Sequence, residues 1–108
     1  MKRTLLILAL ASLGAIALST TASWKVFQST YNIQSSSHIH ENSCLNCHTT
    51  KKGKVLNPYG KQLQAVMKEA RTKKMTSDFL SKVEGLDALG NGQTNISRIK
   101  ADKNPGAL

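Results

Sequence analysis

The two cysteines of this 108-residue chain stand two residues apart with a histidine directly behind them, Cys44-Leu45-Asn46-Cys47-His48. No other feature limits what the chain can fold into as strongly. A domain this small buries too little apolar surface to be secure by side-chain packing alone. Such domains lean on a disulfide, a metal or a cofactor. With one Trp, two Tyr and two Phe in the whole chain, something besides side chains is expected to fill the centre. Cys44, Cys47 and His48 are where it would attach.

Four chemistries place cysteines at this spacing. A disulfide between Cys44 and Cys47 would close a very small ring and constrain little of the unfolded chain. A thiol redox pair belongs at the head of a helix in a βαβ unit, and no strand pattern persists here. Zinc would want four ligands, which Cys44, Cys47 and two of His38, His40 and His48 could supply. Covalent haem is the fourth, because C-x-x-C-H is the attachment sequence of c-type haem. Two sulfurs must reach one edge of the porphyrin, and the next residue must turn beneath the ring to offer imidazole to iron. A helical turn from Cys44 does both, so the sequence points to haem c, bound by Cys44 and Cys47 with His48 as axial ligand.

The start of the chain agrees with that chemistry. Met1-Lys2-Arg3 is a short basic opening, Thr4 to Leu18 is almost entirely apolar or small, and "ALSTTAS" supplies small residues. That order is the signature of a secretory signal peptide. The apolar run is short for a bilayer span, which needs about 20 residues. Residues 1–22 are therefore read as a signal peptide cleaved after Ala22, giving a periplasmic or extracellular protein. Membrane association follows only if that segment stays uncleaved.

Beyond it, residues 23–37 read as an aromatic and polar arm, loosely ordered, which docks through Trp24, Phe27 and Tyr31. Residues 38–108 read as the haem-binding domain. Gly53, Pro58 and Gly60 mark "TTKKGKVLNPYG" as a loop. Leu63, Val66, Met67 and Ala70 fall on one face of a helix expected over Lys61 to Lys74. A short helix over Asp78 to Glu84 follows, with Ser77 as N-cap, Gly85 as its end, and Phe79, Leu80 and Val83 as apolar residues. Ile96 and Ile99 mark a last helical segment. The expected fold is all-α: a small helical haem domain with long loops and a core centred on its cofactor.

The stretch "CLNCHTTKKGKVLNPYGKQL" resembles the haem segment of small exported monohaem c-type cytochromes, in which C-x-x-C-H-T precedes leucine-asparagine, an aromatic, glycine and lysine. In that family a calcium-loop-like stretch follows, close to D-x-D-G-D-G-x-x-N-x-x-E-I with an N-P-G ending. Here "DALGNGQTNISRIKADKNPG", residues 87–106, stands in its place. The resemblance covers about 44–106 and implies electron transfer outside the cytoplasm. A calcium loop takes oxygen ligands at its first, third, fifth and twelfth positions and glycine at its sixth. Asp87, Asn91 and Gly92 suit that pattern. Leu89 cannot ligate, and Arg98 puts a cation where the bidentate carboxylate belongs. The loop is read as keeping its turn without the ion, with Arg98 placed to pair with Asp87.

The second axial ligand decides between electron transfer and ligand chemistry. Histidine on both faces gives a low reduction potential, and methionine raises it. The candidates are His38, His40, Met67 and Met75. Met67 lies on an apolar helix face, where methionine is ordinarily core packing, and Met75 follows a lysine-rich stretch. His40, in polar "SSSHIHENSC", is the expected sixth ligand. Only Glu41, Asn42 and Ser43 separate it from Cys44, so the chain must cross the haem edge quickly. If it cannot, His40 would reach the haem of a neighbouring copy and make an oligomer or haem chain.

The reading is an electron carrier, not an enzyme. The chain's 15 Lys and Arg against 6 Asp and Glu suit an acidic redox partner, and no basic helix with interleaved aromatics suggests nucleic acid. The alternative is a five-coordinate haem sensor that binds small ligands on an open distal side.

Overall fold

The computed structural model describes residues 21–108. The signal-peptide reading therefore lies outside the described residues, apart from Thr21 and Ala22, which open the first helix. Five α-helices follow one another among the described residues: α1 (Thr21–Tyr31), α2 (His38–Asn42), α3 (Pro58–Glu69), α4 (Ser77–Val83) and α5 (Asn95–Lys100). Among the described residues there is no strand, only an isolated bridge between His48 and Leu56. None of these helices is long and apolar enough to cross a membrane.

The segment expected to be a loose arm is helical. Ser, Thr and Asn are indifferent helix formers, yet Trp24, Phe27 and Tyr31 share one side of α1, and packing overrides propensity. Trp24 stacks on Phe27 with ring centroids 5.6 Å apart. Phe27 is buried and meets Tyr31 and Tyr59 edge-on at 5.1 and 6.3 Å. The Tyr31 hydroxyl donates to Glu84 Oε2 at 2.8 Å, tying α1 to the end of α4.

The expected 61–74 helix is displaced toward the N-terminus. Asn57 caps α3, its Oδ1 accepting from Gly60 N at 2.9 Å, with Pro58 in the first turn. Pro there loses nothing, since its missing N–H would be unbonded anyway. The helix stops at Glu69, and Arg71 takes a φ of +55°. Lys73 and Lys74 then lie outside it, and the chain turns so that Met75 is buried. For α4, Thr76 holds the N-cap position in place of Ser77.

The core gathers Phe27, Ile39, Tyr59, Leu63, Met67, Met75, Phe79, Leu80, Val83 and Ile99, with α4 packed against both α3 and α1. Asn95, fully buried, joins the loop before α5 to this core. Its Nδ2 donates to Gln62 Oε1 at 2.7 Å and Val83 O at 2.8 Å, and its Oδ1 accepts from Ala88 N at 3.0 Å.

Candidate cofactor site

The segment carrying the cysteines is held from both sides. Upstream, α2 is capped by Ser37 Oγ, which accepts from His40 N at 3.1 Å, and by the Asp102 carboxylate, which accepts from His38 N at 2.9 Å and Ile39 N at 3.0 Å. Ser43, at a φ of +48°, then redirects the chain into a 3-10 turn over Ser43–Asn46. Cys47 N and His48 N both donate to Cys44 O, at 3.1 and 2.9 Å. The expected helical turn from Cys44 is present, in its tighter 3-10 form.

Downstream, Asn57 N donates to Cys47 O at 2.8 Å and Thr49 N to Val55 O at 3.0 Å, closing the lysine-rich loop 49–56 back onto His48. The side chains of Asn57 and Asn104 both donate to Leu45 O. Gly60 lies so close to the cysteine turn that a Cβ would collide with the Cys47 carbonyl. The residues of "LNPYG" thus position the cysteines rather than merely linking them to a helix.

Trp24, Phe27, Leu63, Leu80 and Met75 line an apolar cleft of about 240 Å³ together with Cys44, Cys47 and His48. His48 is buried, Cys47 half-buried and Cys44 exposed at the rim. Burial, with Cys44 adding to it, pushes the Cys47 thiol up to about 12. A thiol held protonated is a poor nucleophile and a poor metal thiolate.

The four axial candidates are separated by position. Met75 lines the cleft; Met67 is buried on α3 and does not. The ring of His40 lies against Trp24 at 6.2 Å and is not among the cleft-lining residues. His38 is exposed, with its Nδ1 4.0 Å from Glu41 Oε2. In the sequence Met75 is the weaker methionine candidate because it follows a lysine-rich stretch at the end of the expected helix. Its burial follows from the early stop at Glu69, which no residue pattern announced.

The loop at 87–92 is closed on itself. Asp87 accepts from Gly92 N at 2.7 Å and Asn91 N at 3.2 Å, and these bonds hold its carboxyl below the usual carboxylate range. The expected pairing of Arg98 with Asp87 does not form. Arg98 is buried and donates to Asn104 O at 2.9 Å, Gln93 Oε1 at 3.1 Å and Ala107 O at 3.1 Å. Asn104, which opens the N-P-G turn, and Ala107, just after it, supply two of those oxygens, and Gly106 packs against the Asn57 amide so tightly that a Cβ would collide with it.

Among the described residues, no three His, Cys, Asp or Glu side chains are grouped to hold a metal ion; the four-ligand zinc arrangement is not assembled. No protein-family model matches the chain, and no curated protein or solved structure shows significant similarity to it.

Proposed function

We propose that this chain is an exported monohaem c-type cytochrome that carries single electrons between redox partners, with haem c bonded through Cys44 and Cys47 and His48 as axial ligand. The observation that carries the reading is that both sulfurs and the imidazole of C-x-x-C-H line one apolar cleft. The donor set fits the group: two thiols three residues apart, one within a 3-10 turn and one capping it, one buried imidazole and aromatic or aliphatic walls. Bound there, haem supplies a one-electron ferric–ferrous couple, and the protein sets its orientation, potential and docking surface.

In this reading Met75 takes the sixth position, because it is the candidate ligand that lines the same cleft. His40 is the second reading, favoured by its contact with Trp24, one ring removed from the cleft. Ligation by Met75 of the same chain would complete the site without a second copy. With haem bound, Trp24, Phe27, Leu63 and Leu80, which line the cleft, would keep water from the iron, favouring the less charged state and raising the potential.

Lys51, Lys52 and Lys54 are exposed on the loop that leaves His48, beside Val55 at 63 % exposure. A basic rim around an apolar contact, one short loop from the axial ligand, suits docking to an acidic redox protein. Association should slow steeply as salt rises. The exported location rests on residues 1–22.

Carbon monoxide binding to the reduced protein tests the carrier reading. The wild type, six-coordinate and low-spin, should refuse the gas, and Met75→Ala should bind it. If His40→Ala binds it and Met75→Ala does not, His40 is the ligand. A wild type that binds carbon monoxide rapidly is a ligand-binding protein and not a carrier.

A further inference from the structure

A second cavity, of about 830 Å³, shares His48 with the cleft. Its lining mixes apolar surface with the polar and charged side chains of Asn57, Arg98, Lys103 and Asn104. Arg98 decides its chemistry. The side chain is 6 % exposed, and its three bonds run to the neutral oxygens of Asn104, Gln93 and Ala107. A guanidinium has five N–H groups, so two remain. No carboxylate lies within ion-pair distance of it among the described residues.

Burying an unpaired charge is costly, and buried cations ordinarily meet an anion. The side-chain carboxylate that shares the cavity is Asp102, whose two oxygens are engaged by the backbone N–H groups of His38 and Ile39. Lys103 adds a second cation at the rim, exposed to solvent. The cavity is therefore lined by a guanidinium with two N–H groups to spare and by an ammonium, and among the described residues no carboxylate is ion-paired to either. That is the geometry a carboxylate takes best, bidentate on arginine.

We propose that this cavity binds an organic carboxylate on Arg98, assisted by Lys103. Resting on the haem reading, the carboxylate is a haem propionate. The apolar cleft, at about 240 Å³, is below the ~300 Å³ at the small end of ligand pockets. A flat group anchored at Cys44 and Cys47 would outgrow that cleft, and His48 lines both the cleft and this cavity. Arg98, at the place where a calcium loop would carry its closing carboxylate, then serves the cofactor and not an ion.

Holoprotein matured as full chain is examined by resonance Raman spectroscopy, whose propionate-bending band reports hydrogen bonding to the carboxylates. Relative to wild type, the band should shift in Arg98→Gln, shift less in Arg98→Lys, and shift slightly in Lys103→Gln, which leaves the buried bonds intact and guards against misfolding of the Arg98 variants. In parallel, the Tm of wild type is compared in sodium acetate and in sodium chloride at equal ionic strength. A band shift with no acetate effect assigns the site to propionate. An acetate-dependent rise in Tm that Lys103→Gln weakens assigns it to a free carboxylate. If the band is unmoved in every folded variant and acetate acts like chloride, the proposal is overturned. Protein with no covalent haem overturns the cytochrome reading, and the acetate comparison then decides the carboxylate site alone.

Discussion

Asn57 and Asn104 donate to one and the same acceptor, the carbonyl oxygen of Leu45, at 3.1 and 2.9 Å. Leu45 lies between the two cysteines, so the turn that sets their spacing is pinned from the head of α3 and from the C-terminal N-P-G turn together. A segment with few apolar side chains of its own is thereby fixed by hydrogen bonds. The same Asn57 caps α3 and donates its backbone N–H to Cys47 O.

This sharing predicts unequal and coupled losses. Asn57→Ala removes a cap worth about 1 kcal/mol and a side-chain bond worth about 1 kcal/mol, so unfolding in denaturant should show a loss of about 2 kcal/mol. Asn104→Ala should cost about 1 kcal/mol. After either change Leu45 O keeps one partner, whereas the double variant strips both. The double variant should therefore lose about 0.5 kcal/mol or more beyond the sum. Strict additivity would mean that the two amides do not act on one oxygen.

Gly60 and Gly85 make an internal comparison. A Cβ at Gly60 would meet backbone atoms of Cys47, which cannot swing aside, while nothing lies within 4 Å of the one built at Gly85. Gly60→Ala should cost about 1–3 kcal/mol and lower the yield of protein that carries haem, because α3 must back away from the cysteine turn. Gly85→Ala should be neutral or stabilising by up to about 1 kcal/mol, through the unfolded chain. Thermal unfolding of the two variants side by side measures the difference.

Asp87 gives the pH dependence a sign. Its carboxyl is held below the ordinary range by backbone N–H groups, Gly92 first. A depressed folded pKa contributes stability that is complete above the unfolded value, near pH 4, and is lost as pH falls through the folded one. Wild type and Asp87→Asn should differ most at neutral pH and converge below about pH 4. Denaturant midpoints at pH 7, 5 and 3 follow the convergence, and a gap that widens in acid contradicts it.

Much of the helical content was legible in sequence. Phe79, Leu80 and Val83 announced α4, Leu63 and Met67 the buried side of α3, and the Cys44–His48 spacing a tight turn. Other parts depended on neighbours distant in sequence. Helix α1 exists because Trp24 and Phe27 find Tyr59 and α4 to pack on, which local propensity cannot express. The burial of Met75 follows from where α3 stops, and Arg98 turned from Asp87 to the oxygens of Asn104, Gln93 and Ala107 because those, not the loop carboxylate, surround it. Asn57 read as a residue in a loop, and its four backbone and side-chain bonds emerged only when Leu45, Cys47 and Gly60 were brought round it.

The account is tested most directly by intact-mass measurement of the denatured mature chain, made in a host that matures c-type cytochromes and treated with a thiol-alkylating reagent. It predicts a polypeptide heavier by one haem, with neither Cys44 nor Cys47 alkylated. A chain of unmodified mass that takes up the reagent at both cysteines would contradict it.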